Sequence, residues 1–237
     1  MSVSYKQNDL WENGAAPLVF LLPGATGTKR PEMKGFDAMA AMFWLYGYSA
    51  YVCATSGQDK IDGEWSLKGC LNEARTSLDA LIAHLCPSFV VLFGSCAGGT
   101  IAGYLAAERP PENTRLILWE SLFRYNAEDI QALEDRVKQR HEIVLSPTFR
   151  DAIHLESVVE KIKCPVLIAY GAQVEKEPGR FGHPDAEMTT KGLNTPFHQI
   201  EKYHVSGAEH SLTQGKNPVL LKNLITGACD FLARHHP

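Results

Sequence analysis

The stretch Gly94-Ser95-Cys96-Ala97-Gly98 carries the residue types and spacing best suited to covalent chemistry in this chain. It follows the apolar run 89–93 and precedes a segment of small residues that ends near Glu108. Where a strand turns sharply into a helix, the residue at the bend is strained, and small neighbours are needed on both sides. Gly94 and Gly98 meet that need for Cys96. A side chain at such a bend is lifted clear at the start of the helix, whose positive end favours a thiolate or an oxyanion. Ser95 is a competing nucleophile, but its own flanks are Phe93 and Ala97, and Phe93 is too large for the bend. The plainer account is a glycine-rich turn holding an incidental buried cysteine. The strand before it and the helix after it favour the nucleophile.

A thiol nucleophile calls for a base, and imidazole is the usual choice near neutral pH. The chain has nine histidines. His204 falls inside an expected strand, His235 and His236 at the end of the last helix, and His141, His154 and His183 in an insert or a loop. His210, in Gly207-Ala208-Glu209-His210-Ser211, follows the last expected strand and precedes the last helix. The third element is Pro23-Gly24-Ala25-Thr26-Gly27, a turn directly after the first buried strand. Its backbone N–H at Ala25, with that of Ala97, would make a two-donor oxyanion hole. It can equally be an ordinary turn; a phosphate-binding loop is excluded because the Gly-Lys-Ser/Thr ending is missing.

These residues need a scaffold, and the hydropathy pattern supplies one. Apolar runs at 18–22, 49–54, 89–93, 116–119 and 165–170 read as buried strands, with a further strand at 198–205. Between them, helical periodicity is expected over 31–46, with Pro31 in the first turn, and in a helix capped by Ser66. That helix carries Leu67, Cys70, Leu71, Ala74, Leu78, Leu81, Ile82 and Leu85 on one face and is stopped by Pro87. Helices also follow Gly98 and close the chain over 217–235. Residues 121–161 differ: Asn126 and Asp129 form a capping pair, Ile130, Leu133 and Val137 a narrow stripe, and Val158, Val159 and Ile162 close another. Alternating strands and helices imply an α/β fold, a mostly parallel sheet with helices on both faces. Sites in such folds lie at the carboxyl ends of the strands, where the motifs fall.

Composition narrows the alternatives. The 237 residues are 45% hydrophobic and 21% charged, as in a soluble globular chain. With 23 basic and 27 acidic residues the net charge is −4, and no Lys/Arg-rich run is present, so nucleic acid is not an expected partner. The longest apolar runs are too short for a bilayer span, and the first residues lack the order of a secretory signal. The six cysteines are spread out, with no C-x-x-C pair and no zinc-like spacing. The expectation is a cytoplasmic protein without cofactor or metal and without a membrane partner. The aromatic group Phe43, Trp44, Tyr46 and Tyr48 is read as core packing.

In the order and spacing of PGATG, GSCAGG and GAEHS, the chain resembles the α/β-hydrolase superfamily from Leu18 to Leu232. The loop DGEWS is also similar to that of lipase- and peptidase-like members. The resemblance implies one α/β-hydrolase domain over 1–237, with a short helical lid inserted at 121–161. It departs from the family at two points. Cysteine replaces the usual serine, as in dienelactone hydrolases and in the acyl and aminoacyl transferases that serve carrier proteins. The acid is the second: the position three residues after Gly171 is Val174, with Glu175 one further on. Glu120, directly after the strand LILW, resembles the acid placement of certain haloalkane dehalogenases and is preferred to Glu175. The acid orients the histidine and stabilises imidazolium, a task a cysteine nucleophile needs less than serine does.

An acyl-cysteine is itself a thioester, so passing its acyl group to another thiol is nearly balanced in energy, whereas return from an acyl-serine is uphill. The resemblance and this balance together imply an acyltransferase or thioesterase with Cys96 as nucleophile, His210 as base and Glu120 as acid. Its substrate would be a small acyl or aminoacyl thioester, including one on a phosphopantetheinyl carrier protein. Lys29 and Arg30 could meet a phosphate of that arm or form a solvated loop. Two alternatives remain. One is a dienelactone-hydrolase-like lactone or ester hydrolase, although PGATG lacks the glutamate those enzymes set against the resting cysteine. The other is a non-catalytic binding protein of the same fold.

Overall fold

The computed structural model describes residues 10–24, 30–56, 63–121, 130–131, 134–135, 144–147, 153–171, 199–209, 212 and 217–236. Among them a seven-stranded sheet runs in the order β1-β3-β2-β5-β6-β8-β9. These strands are β1 (Leu10–Trp11), β2 (Leu18–Leu22), β3 (Ser49–Val52), β5 (Val90–Ser95), β6 (Thr114–Trp119), β8 (Val166–Gly171) and β9 (Ile200–Val205). All neighbours pair in parallel except β1, which runs antiparallel along the edge of β3. Two further short strands, β4 (Glu64–Trp65) and β7 (Val144–Leu145), pair in parallel apart from the main sheet. They tie the loop before the second helix to the 121–161 segment, a link no periodicity could announce in strands of two residues.

Successive strand residues point to opposite faces, and the sequence uses both. Leu18, Phe20, Leu22, Leu92, Leu116, Leu118, Val166 and Ile168 face one layer, covered by α2 (Leu67–Leu85) and α3 (Ala97–Ala107). Val19, Leu21, Val91, Phe93, Ile117, Trp119, Leu167 and Ala169 face the other, covered by α1 (Arg30–Leu45) and α4 (Pro218–Arg234). The near-continuous apolar strands are therefore what a sheet covered on both sides requires.

The helices end where local chemistry dictates. Ser66 caps α2 by accepting the Gly69 N–H at 3.0 Å, and Cys86 closes it in the left-handed conformation before Pro87. Asn217 caps α4 by accepting the Leu220 N–H, with Pro218 in the first turn. On α1, Phe36, Met39, Ala40 and Phe43 are buried at helical spacing.

Four expectations differ from the structure. The strand expected over 49–54 ends at Val52, and that expected over 89–93 extends to Ser95. Residues 155–161 form two short 3-10 turns, not a helical stripe. They bring Leu155, Val159 and Ile162 onto α3, where a Cβ on Gly103 would stand 2.1 Å from Leu155 Cδ1. Single turns suffice to place apolar groups three residues apart. Of the aromatic group, Phe43 is buried, but Trp44 and Tyr46 are 44% and 48% exposed, because they lie at and beyond the end of α1. The capping pair Asn126 and Asp129, together with Leu133 and Val137, lies outside the described residues. Among the described residues no helix is long and apolar enough to cross a membrane, and no cluster could hold a metal ion.

Candidate active site

Cys96 stands between the last residue of β5 and the first of α3 with φ 53° and ψ −122°, outside the ordinary regions for a residue with a side chain. Strain of this kind persists only where the surroundings over-determine it. Here they do: the Cys96 N–H donates to Trp119 O at 3.1 Å, and its carbonyl accepts the Gly99 N–H at 3.0 Å. The flanking glycines are required by close approach. A Cβ on Gly94 would stand 2.4 Å from Gly99 Cα, and one on Gly98 would stand 2.1 Å from Leu22 O. The Cys96 thiol is half-buried, while Ser95 is 3% exposed within the strand, which agrees with reading Cys96 as the residue presented by the turn.

The Pro23-Gly24 corner at the end of β2 closes over this bend. A Cβ on Gly24 would lie 2.9 Å from Cys96 Cβ and 3.6 Å from Ala97 N. Only glycine lets the β2 corner approach the thiol so closely, and Ala97, at the N-terminus of an 11-residue helix, is buried directly beside it. The Ala97 N–H is the first of α3 and lies at the bend beside the Gly24 corner. Ala25, the other expected donor, lies outside the described residues, as does Lys29.

Glu120 follows β6, the strand beside β5, and is 5% exposed. It too has positive φ, 42°. Its N–H donates to Ala169 O, and its carboxylate Oε1 accepts the Gly171 N–H at 2.9 Å. A Cβ on Gly171 would meet that same Oε1 at 3.0 Å and Ala208 O at 2.3 Å. The carboxylate thus sits at the carboxyl end of β8, against the turn that follows β9. Ala208 is buried in that turn, and the Leu212 N–H closes it by donating to Glu209 O at 2.8 Å. His210 itself, between these anchors in sequence, lies outside the described residues, and so does Glu175.

Four strand ends therefore converge: β2 through Gly24, β5 through Cys96, β6 through Glu120 and β8 through Gly171. Cys96, Ala97 and Glu120, singled out from the sequence, lie at this junction, and Ser121, which the sequence did not single out, adjoins them. Its hydroxyl donates to Gly94 O at 3.2 Å, and it fills the place a Cβ on Gly99 would take. The signal lay in Gly99, the second of two adjacent glycines, which read only as part of a small-residue helix.

Comparison of the folded chain with solved structures is decisive for the architecture. A soluble variant of monoglyceride lipase from Saccharomyces cerevisiae, in complex with a substrate analogue, aligns over 95% of this chain and 90% of its own. The TM-score is 0.70 and the identity 13%. The fold is that of the α/β-hydrolases. A lipase-esterase related protein from Clostridium acetobutylicum aligns over 94% of this chain and 98% of its own, with TM-score 0.65 and 13% identity. Dienelactone hydrolase from Anabaena variabilis aligns over 94% and 88%, with TM-score 0.64 and 16% identity. No family model and no curated protein matches the chain.

Proposed function

We propose that the protein is an acyl-transfer enzyme working through a covalent acyl-Cys96 intermediate. One observation carries the reading: a half-buried cysteine held at positive φ at the N-terminus of α3, with a buried carboxylate at the neighbouring strand end. In the proposed first half-reaction, His210 takes the Cys96 proton and the thiolate attacks the carbonyl carbon of an acyl or aminoacyl thioester. The oxyanion receives hydrogen bonds from the Ala97 and Ala25 N–H groups. As the intermediate collapses, the substrate's own C–S bond breaks, and the departing thiolate takes the proton from His210. In the second, His210 deprotonates an incoming thiol, another nucleophile or water, which attacks the acyl-Cys96 and restores the free thiol. Glu120 is the acid that orients His210 and stabilises imidazolium. The 121–161 insert is the lid over the acyl-enzyme, and a phosphopantetheinyl carrier protein is one source of the thioester.

A second reading, a dienelactone-hydrolase-like lactone hydrolase, draws on the cysteine at the turn and on the likeness to the Anabaena enzyme's fold. Intact-protein mass spectrometry separates the two. Incubation with an acyl-pantetheine thioester is expected to add one acyl mass to the wild type and none to Cys96→Ala. Rapid opening of a lactone with no acylation by any thioester would overturn the transferase. Iodoacetamide labelling at mildly acidic pH tests for catalysis of either kind. Burial pushes the thiols of Cys70, Cys164 and Cys229 up to about 12, so these carry almost no thiolate. Cys96 is expected to react well ahead of them; equal, slow labelling of all would leave a binding protein of this fold.

A further inference from the structure

We infer that Ser121 is a positioning residue that keeps Glu120 in its working conformation, an inference that rests on the proposed roles of Cys96 and Glu120. The geometry is a junction of three consecutive residues. Trp119 accepts the Cys96 N–H through its carbonyl, Glu120 bonds to β8 through both its N–H and its carboxylate, and Ser121 donates to Gly94 O. The middle residue has φ 42°, a conformation disfavoured for any residue bearing a Cβ. Such a residue relaxes unless its neighbours forbid it. On the Trp119 side the backbone is held by the sheet, since Trp119 is the last residue of β6 and pairs with Ala169. On the far side β6 has ended, and the Ser121 hydroxyl is a side-chain tie back to β5, two residues before Cys96.

The Ser121 side chain also has a seat made for it. It is 7% exposed, and it occupies space that Gly99 keeps open: a Cβ there would stand 1.8 Å from Ser121 Oγ and 2.2 Å from its Cβ. Removing the hydroxyl takes away one of the ties that oppose relaxation of this positive φ. The carboxylate is then held less firmly on the Gly171 N–H and beside Ala208. On the proposed roles, the His210 imidazolium is then less well countered, and the Cys96 thiolate loses part of the stabilisation that this cation would supply. Ser121 touches no substrate; it acts through Glu120.

The test is the pH dependence of Cys96 alkylation by iodoacetamide, followed by peptide mass spectrometry in the full-length protein. Ser121→Ala is expected to move the profile of Cys96 upward by about one pH unit, lowering its rate at pH 6 about tenfold. Glu120→Gln is expected to move it at least as far, and the double variant no further than Glu120→Gln alone. Gly99→Ala reaches the same end from the other side, because its methyl group expels the hydroxyl, and it should reproduce the upward shift. Unchanged far-ultraviolet circular dichroism confirms that each variant is folded. Superposition of the Ser121→Ala profile on the wild type, or additive shifts in the double variant, would overturn the inference. Its failure differs from that of the proposed function: in the latter case wild-type Cys96 itself reacts no faster than the other cysteines.

Discussion

At the scale of single residues, the choice of sulfur over oxygen at position 96 has thermodynamic content. A serine there would accept an acyl group from a thioester downhill and could return it to a thiol only uphill. Cys96→Ser is therefore expected to load from an acyl thioester yet to transfer poorly. With thiol and water both available, the ratio of thiol transfer to hydrolysis should fall by about tenfold or more, the equivalent of roughly 1.4 kcal/mol between the two routes. Product analysis by chromatography reads that ratio directly, and an unchanged ratio would remove the argument for cysteine. Cys96 was legible beforehand because two glycines bracket it and because a strand and a helix adjoin it. Glu120 was legible only as a position after a strand; its positive φ and its grip on the Gly171 N–H belong to tertiary structure. Ser121 was invisible, since a serine that fills the gap left by a glycine 22 positions earlier in the chain leaves no local mark.

At the scale of elements, the site is built by close backbone approach, and glycine is the means. The α3 N-terminus sits against the end of β2 so tightly that Gly98 has no room for a side chain, its would-be Cβ meeting the carbonyl oxygens of Leu22 and Pro23. The Leu22 carbonyl belongs to β2, which pairs with β5 as far as Gly94, so this end of the strand is fixed by the sheet. Gly98→Ala is expected to destabilise the fold by about 3 kcal/mol, the upper end for overpacking. Gly47→Ala is the contrast: φ is 92° but nothing lies within 4 Å, so only the backbone penalty of about 1 kcal/mol applies. Urea unfolding midpoints distinguish the two, and equal losses would show that steric approach at α3 is not limiting. The major strands and helices were readable from hydropathy because both faces of the central strands are buried, α1, α2 and α4 each carry one apolar face, and α3 is a run of small and apolar residues buried almost all round. Elements of two residues were not, since β1, β4 and β7 are too short for any period to register. The 3-10 turns over 155–161 mimic a helical stripe because both bring every third or fourth residue to the same side.

At the scale of the whole molecule, the last helix is fixed at its far end. Arg115, 5% exposed, donates to His235 O and to the carbonyls of Pro111, Glu112 and Thr114, with its guanidinium 5.4 Å from the Phe89 ring centre. Glu201 on the edge strand β9 binds Arg234 and His235. The hydrogen bond from Arg234, and then that from His235, hold the Glu201 carboxyl below its usual range. A carboxyl so depressed contributes stability that is fully present above its unfolded value, about 4.3, and is lost as pH falls through the folded one. Glu201→Gln should therefore cost about 0.5 kcal/mol at pH 7, as for a solvent-exposed pair, and less at a pH below about 4.3. Thermal unfolding at the two pH values checks this; a cost that grew in acid would reverse the assignment. The order of the strands adds a temporal consequence. From β5 onward the sheet is extended in chain order through β6 and β8 to β9, so residue 210, proposed as the base, follows every strand of the sheet in the chain. A nascent chain halted before β9 would carry the thiol bend and Glu120 but lack the base proposed for them.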